Sequence, residues 1–369
     1  MKFFITRFVF LSMYRFLYLF FSLLLIFLHF CESIPSNIFK GIECISLLTP
    51  FVIGVNIFLI IYALLGSEKK ILLPLTSLYI CYSSVEKFYF LNLDSLKNNF
   101  TNTSLDHRNK NLNSKNKLRL LTFNSLSFNR YKVEPREQFE SEFITYIQQK
   151  QPDVIGFQET YIKEKSLLKK LYPYGVYKNP STPNERITYP IVSKYPILNK
   201  GRVINNTSKK ITKPLDVYYA DIDIKGHVFR FYNIHLQSFH INTNTDFLLN
   251  NYETSILQLN KTFIYQEKEI YILKKHILNS PYPCILLGDL NNTPFSHVYH
   301  ELTEDLGLKD TFLCKGQNTH FGATYNKPWF YPLRIDHILV PENSKLITYE
   351  IHKTSNWSDH YPVFAEILF

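Results

Sequence analysis

The sequence predicts an α+β fold: a four-layer α/β sandwich of two packed mixed β-sheets flanked by helices, preceded by about three transmembrane helices. Two observations lead to this prediction. Long uncharged apolar runs dominate residues 1–95. From residue 118 onward, many short strand-like segments are interrupted by only two strong helical patterns. Many strands with few helices between them are typical of two packed sheets rather than one doubly wound sheet.

The N-terminal region, 1–95, contains three apolar runs, at about 8–30, 46–65 and 71–91. A helix needs about 20 apolar residues to cross a hydrocarbon core of about 30 Å. Lys2, Arg7 and Arg15 lie before or within the start of the first run, as in a signal peptide. No small-x-small cleavage site follows that run, which favours an uncleaved anchor. Because almost no charge separates the three runs, buried core helices are the weaker interpretation.

Charges in the short loops predict the orientation, since Lys and Arg concentrate on the cytoplasmic side of a membrane. The N-terminus carries Lys2 and Arg7, and the second loop carries Lys69 and Lys70. The first loop has a single cation, Lys40. This bias places the N-terminus inside and, with three spans, the C-terminal domain outside.

Composition bounds the remaining function classes. The formal net charge of +10 suits an anionic substrate or an anionic membrane surface but selects neither. None of the five cysteines has C-x-x-C spacing, so neither a disulfide framework nor a thiolate zinc site is indicated. Three spans without intramembrane carboxylates offer little for a transporter. Residues 96–117 are rich in Asn, Ser and Lys and are interpreted as a polar linker to a domain at 118–369.

Within 118–369, apolar patterns predict the elements in chain order. Strands are expected at 118–123, 153–158, 191–193, 217–224, 228–234, 284–288, 335–340, 346–352 and 363–368. One helix begins at Pro135, the favoured first helical residue, and its apolar stripe comprises Phe139, Phe143, Ile144 and Ile147. A long helical pattern covers 253–278, and its apolar side comprises Ile256, Leu259, Phe263, Ile270, Leu273 and Ile277.

Polar side chains follow the strands, at the points where the apolar runs end. The residues concerned are Asn124, Glu159, His235, Asp289, Asn291, Asp336, Asp359 and His360. Asp289 and Asn291 are two positions apart, so an extended chain presents both on the same side. Taken singly, each residue has an ordinary structural role: Asn124 as a turn former, or Asp336 as an ion-pair partner of Arg334. Taken together, carboxylates and carboxamides suit a hard divalent cation such as Mg²⁺.

This set of residues, in this order, resembles the endonuclease/exonuclease/phosphatase superfamily, whose fold is that of deoxyribonuclease I. The resemblance covers 118–369. It is carried by the motifs Thr122-Phe123-Asn124, Gly156-Phe157-Gln158-Glu159, Ser193-Lys194-Tyr195-Pro196, Asn233-Ile234-His235-Leu236, Gly288-Asp289-Leu290-Asn291, Arg334-Ile335-Asp336-His337 and Ser358-Asp359-His360-Tyr361-Pro362. The apolar spans ahead of the domain resemble those of membrane-anchored members from Bacteroidota-type bacteria.

The resemblance implies a metal site and a water-positioning element. Glu159 would be the principal ligand of Mg²⁺, or of Mn²⁺ in its place, with Asn124 beside it. Asp359 would add to the metal or phosphate site. Asp289 would orient the attacking water or help to deprotonate it, and Asn291 would hold that water or the phosphate.

The resemblance also implies roles for the two histidines. His360, oriented by Asp336, would act as general base or bind the scissile phosphate. His235 would donate a proton or hydrogen bond to the phosphate or the leaving oxygen. Some nuclease members carry an acidic residue two positions after the first asparagine, which feeds a second metal position. The chain has Leu126 there, which argues against a two-metal site.

The resulting expectation is a membrane-anchored, Mg²⁺-dependent hydrolase of phosphoester bonds, either a phosphodiesterase or a phosphatase. Its substrate would be nucleic acid or a phospholipid head group, and its N-terminal helices would contact the lipid bilayer. Nothing indicates a protein partner. The expected location is the bacterial inner membrane, with the catalytic domain outside the cytoplasm. The alternative is a non-catalytic membrane scaffold that keeps the same fold.

Overall fold

The computed structural model describes residues 2–65, 72–90, 116–129, 136–160, 171–178, 188–204, 215–239, 250–313, 320–326, 333–353 and 356–369. The chain divides into two units. The N-terminal unit comprises Met1–Tyr89, His240–Glu267 and Pro294–His300. The sheet unit comprises Phe90–Phe239, Lys268–Thr293 and Glu301–Phe369. Most of the predicted linker, 96–117, lies outside the described residues.

The N-terminal unit begins with five helices: α1 (Lys2–Cys31), α2 (Ile42–Ser46), α3 (Thr49–Leu65), α4 (Leu72–Ile80) and α5 (Tyr82–Phe88). Helices α1, α3 and α4 pack against one another around a small apolar core that includes Leu25, Leu28 and Ile53. Asn56 of α3 links all three helices. Its Oδ1 accepts hydrogen bonds from Ser22 Oγ and Ser77 Oγ, both at 3.2 Å.

One stretch of the described helices is long and apolar enough to cross a membrane, Ile42–Leu65, which contains the predicted span 46–65. Arg15–Cys31 is a shorter apolar helix. The predicted third span, 71–91, is occupied by two short helices, α4 and α5, that meet at Cys81. The described helices therefore do not support three full spans.

In the part of the chain that the structure describes, twelve strands of the sheet unit form two six-stranded sheets. They are β1 (Lys117–Asn124), β2 (Val154–Gln158), β3 (Tyr174–Lys178), β4 (Thr188–Ser193), β5 (Ile197–Arg202), β6 (Val217–Ile224), β7 (His227–His235), β8 (Cys284–Asp289), β9 (Leu308–Asp310), β10 (Asp336–Pro341), β11 (Lys345–Ile351) and β12 (Val363–Leu368). Two further two-residue strands are Tyr89–Phe90 and His320–Phe321. The helices outside α1–α5 are α6 (Leu126–Asn129), α7 (Arg136–Lys150), α8 (Tyr252–Leu278) and α9 (His297–His300); a π-helical turn spans Glu301–Asp305 and a 3₁₀ turn Thr311–Leu313.

Both six-stranded sheets are mixed and share one design. The first has the order β11-β12-β1-β2-β4-β3, and the second has the order β9-β10-β8-β7-β6-β5. Each contains a single parallel pair, β1 with β2 in the first sheet and β7 with β8 in the second, and the other pairs are antiparallel. The predicted pair of mixed sheets is confirmed.

A continuous apolar core joins the inner faces of the two sheets, where Leu120 and Ile191 of the first sheet meet Phe231 and Leu287 of the second. The sheets approach each other closely at Gly156. A Cβ at that position would lie 2.8 Å from both Asn233 Oδ1 and Leu287 Cβ. Contacts that short do not occur between real side chains, so the sheet separation at this point depends on glycine.

Helices cover the outer faces, as the sequence predicts. The apolar stripe of α7 is buried: Phe139, Phe143 and Ile147 pack against a cluster that includes Phe123 and Trp357. The long helix of 253–278 is observed as α8, but Ile256 on its predicted apolar side is exposed. The edge strand β5 was not predicted, because its polar residues Asn199 and Lys200 break the apolar alternation.

Candidate active site

The strand ends named in the sequence analysis meet at one edge of the two sheets. In the parallel pair β1/β2, Asn124 lies opposite Gln158, the residue before Glu159. In the parallel pair β7/β8, His235 lies opposite Asp289. The antiparallel neighbour β10 begins with Asp336, also opposite Asp289. Because parallel strands end at the same edge of a sheet, each pair delivers two polar side chains to one place.

Asp289 lies at the centre of this group and is fully buried. Asn124 Nδ2 donates to Asp289 Oδ2 at 3.0 Å, and the backbone N–H of Asn291 donates to Asp289 Oδ1 at 2.6 Å. Burial, with a smaller contribution from the nearby Asp336 carboxylate, raises the pKa of Asp289 to about 6 against the opposing effect of the two histidines. Asp289 therefore changes charge close to neutral pH.

His360 and Asp336 form a buried pair beside Asp289. His360 Nδ1 lies 2.9 Å from Asp336 Oδ2 and 3.2 Å from Asp336 Oδ1, while Nε2 lies 3.8 Å from Asp289 Oδ2. Burial alone would lower the pKa of His360, but the Asp336 and Asp289 carboxylates outweigh it and raise the pKa to about 10. The imidazole is therefore protonated at neutral pH. Thr324 Oγ1 holds the start of β10 by accepting from the backbone N–H of Asp336 at 3.1 Å.

His235 lies between carboxylates on both sides. Its Nε2 lies 3.5 Å from Glu159 Oε1 and 3.9 Å from Asp289 Oδ2. Its Nδ1 lies 3.8 Å from Asp216 Oδ2. Burial opposes protonation, but the carboxylates of Asp216, Asp289 and Glu159 together raise the pKa of His235. Asp216 was not predicted, because it lies just before β6 in the sequence and no motif marks it.

Asn291 and Asp359 are placed by loop contacts. Asn291 Nδ2 donates to the carbonyl of Leu236 at 2.9 Å, so the loops after β7 and β8 are joined beside the site. The backbone carbonyl of Asp359 accepts from the N–H of Asn326 at 2.7 Å, and Ser358 Oγ donates to its carboxylate at 3.4 Å. The role of Asp359 as a metal ligand stays a prediction.

The backbone is strained where the site residues leave the strands. Glu159 and Asn291 have φ angles of 50° and 48°, the left-handed region that residues other than glycine rarely adopt. Such strain costs about 1–3 kcal/mol per residue and is found mainly at functional sites. Gly288 has φ 155°, and a Cβ there would lie 2.0 Å from the carbonyl oxygen of Ile234. Glycine is therefore required immediately before Asp289.

The residues present fit a hard divalent cation. Asn124 Nδ2 lies 3.4 Å from Glu159 Oε1, so a carboxamide and a partly exposed carboxylate stand together at the mouth of the site. Turning the Asn124 amide by half a turn would present its oxygen to a cation there, in exchange for its hydrogen bonds with Asp289 and with the backbone N–H of Leu126. Among the described residues, the buried His235 Nε2 has no hydrogen-bond partner although two carboxylates face it. Oxygen donors around such a gap are the ligand type that Mg²⁺ prefers.

A second grouping also has ligand geometry. Donor atoms of Asp289, Asp336 and His360 all lie within 4.8 Å of one another. However, His360 Nδ1 is already engaged by Asp336, as in a histidine–carboxylate pair that fixes the imidazole. The carboxylate of Asp336 thus already occupies His360 Nδ1, and the oxygen donors Glu159 and Asn124 stay the predicted ligands of the cation.

Two supporting networks lie behind the site residues. Gln158 Nε2 donates to Asn233 Oδ1 at 2.6 Å, and Asn233 Nδ2 donates to the carbonyl of Phe157 at 2.8 Å, so the two sheets are hydrogen-bonded directly behind Glu159 and His235. Sequence reasoning missed this link, although both residues stand inside quoted motifs.

The second network shows which carboxylate pairs with Arg334, a question that the sequence left open. Arg334 Nη1 donates to Asp310 Oδ2, and His337 Nδ1 lies 3.3 Å from the same oxygen. All three side chains are buried. The ion-pair partner of Arg334 is thus Asp310, and Asp336 pairs with His360.

The model of the "Endonuclease/Exonuclease/phosphatase family" matches residues 121–360. A second family model, described as a "Domain of unknown function", matches residues 7–88. No curated protein sequence matches the chain significantly.

Solved structures with a similar fold come from bacteria and from human. An endonuclease/exonuclease/phosphatase family protein of Bacteroides thetaiotaomicron is 19% identical, with a TM-score of 0.52 over 69% of this chain and 98% of that one. A mannosyl-6-phosphatase of the same organism is 21% identical, with a TM-score of 0.50 over 68% of this chain and 100% of its own. The catalytic domain of human nocturnin, with bound sulfate, is 18% identical, with a TM-score of 0.51 over 69% and 94%. At these identities the likeness concerns the fold.

The raised pKa of His360 predicts a pH-dependent contribution to stability. A group whose pKa is higher in the folded state stabilises the fold fully below its unfolded pKa, about 6.5 for histidine, and loses that contribution as the pH rises through the folded value. With a folded pKa of about 10, the loss should fall between about pH 6.5 and 10. The Tm difference between the native chain and His360→Gln, measured in EDTA, should shrink across this range.

The exposed His227 offers a matched control, and the Tm difference for His227→Gln should not change with pH. A Tm difference for His360→Gln that stays constant from pH 6 to 10 would show that His360 is neutral in the folded protein.

Proposed function

The chain belongs to the endonuclease/exonuclease/phosphatase family, and on that premise we propose that it is a Mg²⁺-dependent hydrolase of phosphoester bonds. The observation that supports this most directly is the cluster around Asp289. There, a buried carboxylate, a histidine–aspartate pair and a second histidine surround a carboxamide and a carboxylate suited to a cation. Family membership alone does not fix a reaction, since function depends on the site.

Each residue of the site would have a separate role in phosphoester hydrolysis. A bound cation would neutralise charge on the phosphate oxygens, and Glu159 and Asn124 would hold it. Asp289, with a pKa of about 6, is suited to accept the proton of the attacking water near neutral pH. His360 is protonated at that pH, so its Nε2–H would bind a phosphate oxygen rather than take up a proton. This favours the phosphate-binding role over the general-base role that the sequence also allowed.

His235 would act on the leaving-group side. Its raised pKa, caused by Asp216, Asp289 and Glu159 against the effect of burial, keeps a proton available for the departing oxygen. Its Nε2 faces the same gap as Glu159 Oε1 and Asp289 Oδ2, so one phosphate in that gap would reach all three groups. Positioning of this kind supplies a large share of the catalysis of phosphoryl transfer.

The substrate is proposed at the level of chemical class, a phosphate ester of nucleic acid or of a phospholipid head group. The solved relatives include a mannosyl-6-phosphatase and nocturnin. Because the family description covers endonucleases and exonucleases as well as phosphatases, both a diesterase and a monoesterase stay open for this chain. Comparing DNA, sphingomyelin, phosphatidylinositol phosphates and nucleotides as substrates of the full chain in detergent would decide between them.

Removal of divalent cations should abolish hydrolysis of bis(p-nitrophenyl) phosphate by the full chain. The reason is that the carboxylates of the site cannot neutralise phosphate oxygens by themselves. Activity should vanish in EDTA and return with Mg²⁺ or Mn²⁺. Turnover that continues in EDTA would contradict the proposed cofactor.

Glu159→Gln, Asp289→Asn and His360→Ala should each lower kcat on the same substrate by at least about 10²-fold, the usual effect of removing one group that stabilises a transition state. Circular dichroism should show that the fold is kept. Glu304→Gln, which changes an exposed carboxylate of the sheet unit, provides the control and should leave kcat unchanged.

Full activity in two of the three site variants would refute the assignment of the site. Loss of activity in Glu304→Gln as well would show that the assay responds to general damage.

We also propose that the N-terminal unit anchors the protein in a bilayer through Ile42–Leu65. The support is its apolar length together with the many large apolar side chains exposed on α1, α3 and α4, such as Phe27, Phe58 and Leu75. Soluble proteins rarely expose contiguous apolar surface on this scale. The location outside the cytoplasm, at a bacterial inner membrane, stays part of this proposal.

The anchor predicts that the full chain remains in the membrane pellet after alkaline carbonate extraction and is released by detergent. Protease added to intact spheroplasts should then degrade the sheet unit. Release by carbonate alone would contradict the anchor, and protection from protease would contradict the orientation.

A further inference from the structure

Two stretches of the family-matched region belong to the N-terminal unit. Residues 121–360 match the family model, yet His240–Glu267 and Pro294–His300 group with Met1–Tyr89. The second stretch begins at Pro294, which lies five positions after Asp289 in the sequence. Pro294–His300 is therefore separated by only a few peptide bonds from the loop that carries Asp289 and Asn291. Any contact that holds this segment also acts on that loop.

Two charged side chains of the N-terminal helices hold this stretch. Glu43 of α2 accepts a hydrogen bond from the backbone N–H of His297, with a distance of 3.2 Å to its Oε1. Lys87 of α5 places Nζ 5.3 Å from the ring centroid of Tyr299, within the range of a cation–π contact. Phe295, Val298 and Tyr299 are themselves buried, so the stretch is packed as well as hydrogen-bonded.

These charges are fixed in position rather than mobile. Lys87 Nζ lies 2.5 Å from Glu32 Oε2, and Ser84 Oγ donates to Glu32 Oε1 at 2.8 Å. Glu32, Glu43 and Lys87 are all buried. Burying an ion pair costs several kcal/mol of desolvation per ion, so such a pair is poor as a mere source of stability. Its value here is to place a cation against Tyr299.

Ser36, between α1 and α2, and Cys44 of α2 also contact helix α8. The backbone N–H of Ser36 donates to Glu267 Oε1, and Cys44 Sγ donates to Asn260 Oδ1 at 3.5 Å. A domain tied to its anchor only by a linker would need none of these contacts. The N-terminal helices instead incorporate parts of the catalytic region.

We infer that the N-terminal helices support the active-site loop, with Glu43 as a positioning residue that fixes the backbone after Asp289 and Asn291 through His297. The inference rests on the proposed function, because its effect on rate concerns Asp289 and Asn291. The loop is strained at Asn291, so it depends on its surroundings to hold that conformation. The helices thus contribute to catalysis as well as to attachment.

The test compares Glu43→Ala and Glu43→Gln in the full chain in detergent. Two quantities are measured: kcat and KM on bis(p-nitrophenyl) phosphate, and the amide hydrogen exchange of the peptide covering 294–300. Glu43→Ala leaves a buried N–H without its acceptor, so exchange should accelerate about 10-fold or more. Misplacement of the loop should lower kcat about 10-fold with KM within about 2-fold.

Glu43→Gln keeps an acceptor oxygen at the same position and should restore both quantities. Glu253→Ala, which removes an exposed carboxylate of α8 in the same unit, is the matched control and should change neither. If Glu43→Ala fails to fold, the double variant Glu32→Gln with Lys87→Met removes the cation from Tyr299 without leaving a buried charge. It should lower kcat and accelerate exchange in the same direction.

The two readouts separate this inference from the proposed function. If exchange and kcat of Glu43→Ala match the native chain, or if Gln rescues neither, the positioning role is overturned. If the native chain hydrolyses neither bis(p-nitrophenyl) phosphate nor the monoester p-nitrophenyl phosphate, the proposed function fails, and the exchange measurement still decides whether Glu43 orders 294–300.

Discussion

Burial of the Asp289 carboxylate is the constraint on which the rest of the site depends. A carboxylate without access to water is unstable unless hydrogen bonds and opposite charge compensate it. Asn124 and the backbone N–H of Asn291 supply hydrogen bonds, and protonated His360, itself held by Asp336, supplies the charge. Compensation is incomplete, because the pKa of Asp289 stays raised, to about 6. The charged form of Asp289 is therefore still disfavoured, and a bound proton or a nearby cation would stabilise this carboxyl group.

The two sheets must be locked together for this arrangement to persist, because Asn124 and Glu159 come from one sheet and His235, Asp289 and Asp336 from the other. The lock is polar as well as apolar. Gln158 donates a hydrogen bond to Asn233 across the interface, Asn233 donates one to the carbonyl of Phe157, and Gly156 leaves room for them. A fully satisfied buried network specifies one relative position of its members, whereas apolar packing alone tolerates small slips. The distances between the site residues of the two sheets therefore depend on this network.

Buried side chains of the N-terminal unit likewise hold the chain that follows Asp289. A flexible tether would leave catalysis independent of the membrane, but here buried charges of α2 and α5 engage the chain a few residues beyond the site. Attachment to the membrane and the geometry of the loop would then be linked.

The sequence by itself determined the pair of mixed sheets flanked by helices and identified the polar residues at the strand ends that the structure brings together. Strands 217–224 and 363–368 were predicted to the residue, because buried strands carry apolar runs that end in the polar residues of the motifs. The tertiary structure alone decided which groups pair: Arg334 with Asp310, Asp336 with His360, and Asp216 with His235. It also decided that 240–267 and 294–300 group with the N-terminal helices. These facts depend on distances between residues far apart in the chain, which local apolar periodicity does not encode.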